Sequence, residues 1–149
     1  MLGFSQTVGY AIQALGCLND PTCARHQTAD IARCAKVPKP YLYKIIQALA
    51  RKRLVVAKRG IGGGVALARP PAQISLLRIV EAVEGKNWLS DCLLGLNECS
   101  NQKTCPTHDF WQRIRREITE ELDRTTLATV IAFRTQSRAQ RRQGPPRRR

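Results

Sequence analysis

The chain has 149 residues, enough for one domain with a real hydrophobic core or for a small domain with an appended helix. Lysine and arginine number 25 against 11 aspartates and glutamates, a formal net charge of +14, so nucleic acid is the expected partner. The early apolar stretch is broken by Ser5, Gln6, Thr7 and Gln13 and lacks a basic leader, so it does not read as a membrane span or signal peptide; a cytoplasmic protein is expected, in which six cysteines point to metal or redox chemistry before a disulfide framework.

In chain order, Val8, Ala11, Ile12, Leu15 and Leu18 recur at helical spacing, so residues 7–18 are expected to form an amphipathic helix closed by Asn19, Asp20 and Pro21. Cys17 and Cys23 flank that turn at a spacing that suits a ligand pair, although a small buried thiol is the commoner fate of a helical cysteine. Thr28 is the expected N-cap of a short helix over 29–36, with Asp30 early, where the helix dipole favours an acid. Val37-Pro38-Lys39-Pro40 makes a turn, and a second helix over 41–53 places Leu42, Ile45, Ile46 and Leu49 on one face. Residues 25–59 carry ten basic side chains against Asp30 alone. Helix, tight turn and helix with a basic outer face is the helix-turn-helix pattern, whose second helix enters the major groove.

Two short apolar runs, 54–57 and 65–68, flank a tip with four glycines in five residues, which predicts a β-hairpin. Glycine allows close backbone approach to a phosphate, and Lys58 and Arg59 supply charge. The nucleotide-binding loop is a poor competitor, lacking the Gly-Lys-Ser/Thr ending and the following helix. Ser75 opens a helix through Glu84, stopped by Gly85.

Cys92, Cys99, Cys105 and His108 follow with the spacing C-x6-C-x5-C-x2-H on a polar loop. Thiolates select zinc or iron–sulfur over hard cations, and spacing does not separate the two. Pro106 and Thr107 begin a long helix whose positive N-terminal end favours thiolates at Cys105. Along it Phe110, Ile114, Ile118, Leu122, Thr126 and Val130 recur every fourth residue beside Trp111, a stripe suited to a twin helix or to the chain's own head. The helix is expected to break near Thr125 and Thr126, leaving a short final helix through Ala132. From residue 134 onward seven arginines, no acid and a proline pair predict disorder.

The combination of Gly9-Tyr10-Ala11, Asp30-Ile31-Ala32, Tyr41-Leu42, the Arg59-Gly60-Ile61-Gly62-Gly63-Gly64 tip with Leu67-Ala68-Arg69-Pro70, and Ile74-Ser75-Leu76 through Val83-Glu84-Gly85 resembles the Rrf2 family of winged-helix transcription regulators, the IscR-, NsrR- and RirA-like proteins, over roughly residues 1–133. The resemblance implies a mainly α fold with a small β-hairpin wing. Its parts are a winged helix-turn-helix head (1–86), a cysteine-rich cluster-binding loop (87–106), a dimerisation helix (107–133) and the basic tail (134–149). It further implies a homodimer on a palindromic operator in double-stranded DNA, a repressor of transcription, with an iron–sulfur cluster held by Cys92, Cys99 and Cys105. His108 stands where IscR-like members place the histidine ligand of a 2Fe-2S cluster; a 4Fe-4S cluster with an outside ligand comes second, and zinc competes with both.

Six residues separate the first two cysteines where five are common in the family, and Thr7, Val8 and Gly9 stand where nitric-oxide-sensing members carry an acidic ligand. Tyr41, Tyr43, Lys44 and Gln47 are the candidates for groove contacts. Lys39, Arg51, Lys58 and Arg59, with Gly62 and Gly63, should mainly meet phosphates. The alternative is a cluster-free regulator, either a thiol switch on the same three cysteines or a zinc-stabilised DNA-binding protein. No histidine has a nucleophile or carboxylate partner fixed by sequence, so no enzyme is expected.

Overall fold

A computed structural model describes residues 4–20, 27–95 and 105–142. Helix α1 spans Gln6–Leu18 and is capped by Ser5, whose hydroxyl accepts from the Val8 N–H at 3.4 Å. Val8, Ala11, Leu15 and Leu18 all point inward. Helix α2, Thr28–Ala35, starts one residue earlier than its sequence predicts: Gln27, not Thr28, is the N-cap, and no side chain caps it. An Asp30–Arg33 ion pair lies along its exposed face. Lys36 closes α2 in the left-handed region at φ 54°, its N–H donating back to the Ala32 and Arg33 carbonyls, which swings buried Val37 into the turn.

Helix α3, Lys39–Arg51, begins before the predicted 41 because Pro40 fits a first helical turn, where its missing N–H has no partner to lose. It ends where Arg53 turns left-handed at φ 56° and the Leu54 N–H bonds the Leu49 carbonyl at 3.0 Å. Strands β1 (Val55–Lys58) and β2 (Gly64–Leu67) pair antiparallel, Val55 opposite Leu67 and Val56 opposite Ala66. Val55 and Val65 enter the core while Val56 faces out. A 3₁₀ turn, Pro71–Gln73, leads to α4, Leu76–Glu84, capped by the Ser75 hydroxyl accepting from the Arg78 N–H at 3.3 Å.

Helix α5 runs His108–Arg124 and α6 Leu127–Arg142. The break at Thr125–Thr126 has a tertiary cause. Ser75 and Thr126 form a β-bridge, the Leu76 N–H donates to the Thr125 carbonyl at 2.9 Å, and the Leu127 N–H donates to the Ile74 carbonyl at 2.8 Å. Thr126 then caps α6 through its hydroxyl, which accepts from the Thr129 N–H.

The final helix does not stop at Ala132, and residues 134–142 are helical rather than disordered. Arg, Gln and Ala are good helix formers, no glycine or proline occurs over residues 127–143, and a helix docked by Leu127 only has to propagate.

The core is shared by α1, α2, α3, the hairpin, α4 and Leu127. A second cluster joins Val8 of α1, Val80 of α4 and Leu122 of α5, with Ile118 and Trp88 beside them. Part of the α5 stripe is therefore spent on the chain's own head, while Phe110 and, on α6, Phe133 remain exposed. Among the described residues no helix is long and apolar enough to cross a membrane.

Candidate nucleic-acid interface and cysteine site

The period of α3 sorts its side chains cleanly. Leu42, Ile45, Ile46, Ala48 and Leu49 are buried, which leaves Tyr43, Lys44, Gln47 and Arg51 along one outward stripe with Lys39 and Tyr41 at its start. Tyr41 is exposed yet leans on α1, its ring edge-on to Tyr10 with centroids 6.2 Å apart. Lys58 and Arg59 stand exposed on the hairpin, and exposed Lys52, Arg53 and Arg69 add to the positive field. Those last three were not among the sequence candidates, although the run Arg51-Lys52-Arg53 signals them. None of these cations forms an ion pair among the described residues, so their charge is available to an anionic partner.

Gly62 has φ +75°, a conformation that side chains rarely adopt. Gly63 has a different reason to be glycine: a Cβ there would lie 2.3 Å from the Lys58 carbonyl oxygen. Gly63→Ala is thus expected to destabilise the hairpin by about 1–3 kcal/mol. Amide exchange across β1 and β2 should accelerate while that of α3 stays slow; unchanged exchange in the hairpin would contradict the close packing.

The cysteine loop is anchored at both of its described ends. The Ser90 hydroxyl donates to the Cys92 carbonyl at 2.9 Å and accepts from the Cys92 N–H at 3.2 Å, forming a tight turn that leaves Cys92 buried. The Trp111 indole N–H donates to the Ser90 carbonyl at 2.9 Å, and Arg115 pairs with Asp91 at 2.7 Å. The segment carrying Cys92 therefore lies on the first two turns of α5, the helix that Cys105 immediately precedes.

The Cys105 sulfur lies 3.4 Å from the Thr107 hydroxyl. That hydroxyl, then the Thr107 backbone N–H, hold the thiol below its ordinary pKa; burial opposes them, and the His108 N–H adds the smallest lowering effect. His108 is the first residue of α5 and is half-buried.

Cys92 and Cys105 are free thiols, and Cys17 lies within the core. Cys34 is disulfide-bonded, which the sequence did not suggest. Cys99 and Cys23 lie outside the described residues. Among the described residues no three His, Cys, Asp or Glu side chains converge as a metal site. Two free thiols, one with a lowered pKa, and an imidazole at a helix N-terminus are a donor set whose chemistry suits a thiophilic centre. The anchoring roles of Ser90, Asp91, Thr107 and Trp111 are not legible in the sequence, because each acts through a contact rather than a motif.

A family model described as Rrf2, Iron-dependent Transcriptional regulator, matches residues 4–132. A protein of Aquifex aeolicus (strain VF5) named as an HTH-type transcriptional regulator is 30% identical over 130 residues, 86% of this chain and 90% of its own length. Among solved structures, CymR (YrzC), the global cysteine regulator of B. subtilis, superposes with a TM-score of 0.68 at 24% identity, covering 89% of this chain and 98% of its own, a likeness of fold. The IscR of T. potens gives a TM-score of 0.66 at 26% identity, covering 89% and 88%. Among the described residues, the six α-helices and antiparallel hairpin are the winged-helix arrangement of these proteins.

Proposed function

This chain belongs to the Rrf2 family of transcriptional regulators, and from that premise we propose that it is a homodimeric repressor acting on a roughly palindromic DNA operator in the cytoplasm, with its hold on DNA set by an iron–sulfur cluster. One observation carries the reading: the segment bearing Cys92 is fastened to the first turns of α5 by Trp111 and Arg115, beside Cys105 and His108. It ties the thiols to the helix that rests on the DNA-reading head.

Cys92, Cys99, Cys105 and His108 would hold a 2Fe-2S cluster, ahead of a 4Fe-4S cluster completed from outside, with zinc as the competitor. A bound cluster supplies a reversible change of charge and oxidation state at the N-terminus of α5. Thr107 and the α5 amides favour Cys105 as the thiolate a soft metal needs. Ile118 and Leu122 press α5 on α4 and α1, and α4 in turn packs on α3, so the cysteine site and the recognition helix share one continuous set of contacts. The loop controls DNA only by as much as its two states favour different head arrangements.

On DNA, Tyr41, Tyr43, Lys44 and Gln47 face the major groove, while Lys39, Arg51, Lys58 and Arg59 neutralise phosphates and Gly62 and Gly63 let the wing backbone approach. Exposed Phe110 and Phe133 give the α5–α6 arm apolar surface for a second subunit.

Purification without oxygen, followed by the visible spectrum and a count of iron, sulfide and zinc per chain, tests the cluster. The expected result is a coloured protein with iron and sulfide in equal amounts. Stoichiometric zinc without colour would overturn it. A second reading, thiol sensing without a cluster, draws on the disulfide at Cys34, one residue before the end of α2. It predicts a colourless protein whose DNA binding changes on treatment with reductant.

A further inference from the structure

We propose that Ile61 is an apolar probe of the minor groove that makes this regulator prefer A·T pairs beneath the wing, an inference that rests on the reading of the hairpin as a DNA-binding wing. The geometry of the tip singles out this residue. Gly60 and Gly62, on either side of it, have φ +92° and +75°, and the turn is closed by the Gly63 N–H donating to the Gly60 carbonyl at 2.9 Å. Residues 60–64 therefore carry one side chain among four glycines, and that side chain is isoleucine, with a relative exposure of 108%.

A turn built only to reverse the chain is best served by Gly, Asn or Asp, which tolerate left-handed backbone and stay hydrated. Isoleucine offers neither advantage. Its branched Cβ makes it stiff, so little rotamer freedom remains to be lost on contact. Behind it Val56, 60% exposed, stands opposite exposed Ala66 on the same outward face, and Lys58 and Arg59 lead into the tip from one side. The wing is thus a slender ribbon with an apolar point and one cationic shoulder.

With α3 in the major groove, a flanking ribbon meets the backbone and the adjacent minor groove, which is about 6 Å wide and admits only a thin element. Four glycines supply that thinness. Isoleucine has no group to hydrogen-bond the acceptors on the groove floor, so it reads shape: the guanine 2-amino group projects into the groove, whereas an A·T floor is free of it. Apolar contact there excludes water without adding charge.

The test uses the full chain and a duplex operator selected by it from a randomised library, with the wing-facing A·T pairs located by footprinting and replaced by G·C or by inosine·C, which lacks the 2-amino group. Wild-type protein is expected to bind the G·C duplex about tenfold more weakly and to recover on the inosine duplex. Ile61→Ser should bind the original operator about tenfold more weakly, treat the G·C and inosine duplexes alike, and keep the wild-type salt dependence. Arg59→Ala serves as the control and should lower the salt dependence by about one phosphate contact. If Arg59→Ala behaves so while Ile61→Ser keeps wild-type affinity or base preference, the probe is refuted and the wing stands. If neither substitution alters binding, the hairpin does not touch DNA and both readings fail.

Discussion

Cys105→Ala is expected to strip most of the iron and the visible absorption from protein purified without oxygen, while leaving the fold intact. Cys105 is only part-buried and lies outside the helices, so its loss removes a donor without opening a cavity. It is also the thiol that its surroundings prepare for ligation: the Thr107 hydroxyl at 3.4 Å and the N–H groups of Thr107 and His108 favour the thiolate, which is the form that binds iron. His108→Ala should act differently. An imidazole replaced by water or another donor leaves three thiolates in place, so part of the cluster should persist with a shifted spectrum. Iron counted per chain in the two variants separates these roles, and full iron content in Cys105→Ala would move the site elsewhere.

Leu127→Ala carries the largest expected loss of stability, about 2–5 kcal/mol. Leu127 is fully buried and begins α6, and its N–H is bonded to the Ile74 carbonyl beside the Ser75–Thr126 bridge. Truncation opens a cavity where the turn before α4 and the α5–α6 joint meet the shared core. The midpoint of denaturant unfolding should fall markedly. Thr129→Ala, a change at an exposed position on the same helix, should leave it nearly unmoved. Equal midpoints for wild type and Leu127→Ala would show that α6 is not docked there.

The elements most legible in the sequence are those governed by periodicity and by strong local signals. Helices α1, α3, α4 and α5 lie within two residues of where their apolar spacing places them, α4 begins one residue after Ser75, which caps it, and the hairpin falls around its glycines. Errors arose where a local signal had a competitor. Thr28 looked like a cap but lies inside α2, because Gln27 already has the extended backbone a cap requires. The arginine-rich stretch has the composition of a disordered tail, yet over 134–142 helix propensity and the anchor at Leu127 prevail.

The cross-link of Ile74, Ser75 and Leu76 to residues 125–127 joins segments some fifty positions apart, and no local pattern encodes that. The same division holds in the site. Cys92, Cys105 and His108 announce themselves by spacing, and the α3 stripe by its period. The fastening of Ser90 to Trp111 and of Asp91 to Arg115, and the influence of Thr107 on Cys105, exist only once α5 lies against the loop.

The central claim is that the state of the cysteine site controls the hold on DNA. Its most direct test is a titration without oxygen of one selected operator duplex with iron-loaded protein and with the same protein after chelation, at a fixed salt concentration. The two forms are expected to differ in affinity by about tenfold or more, within the range of ordinary coupling between sites, and the difference should vanish in Cys105→Ala. Equal affinity of the loaded and metal-free forms would contradict the account.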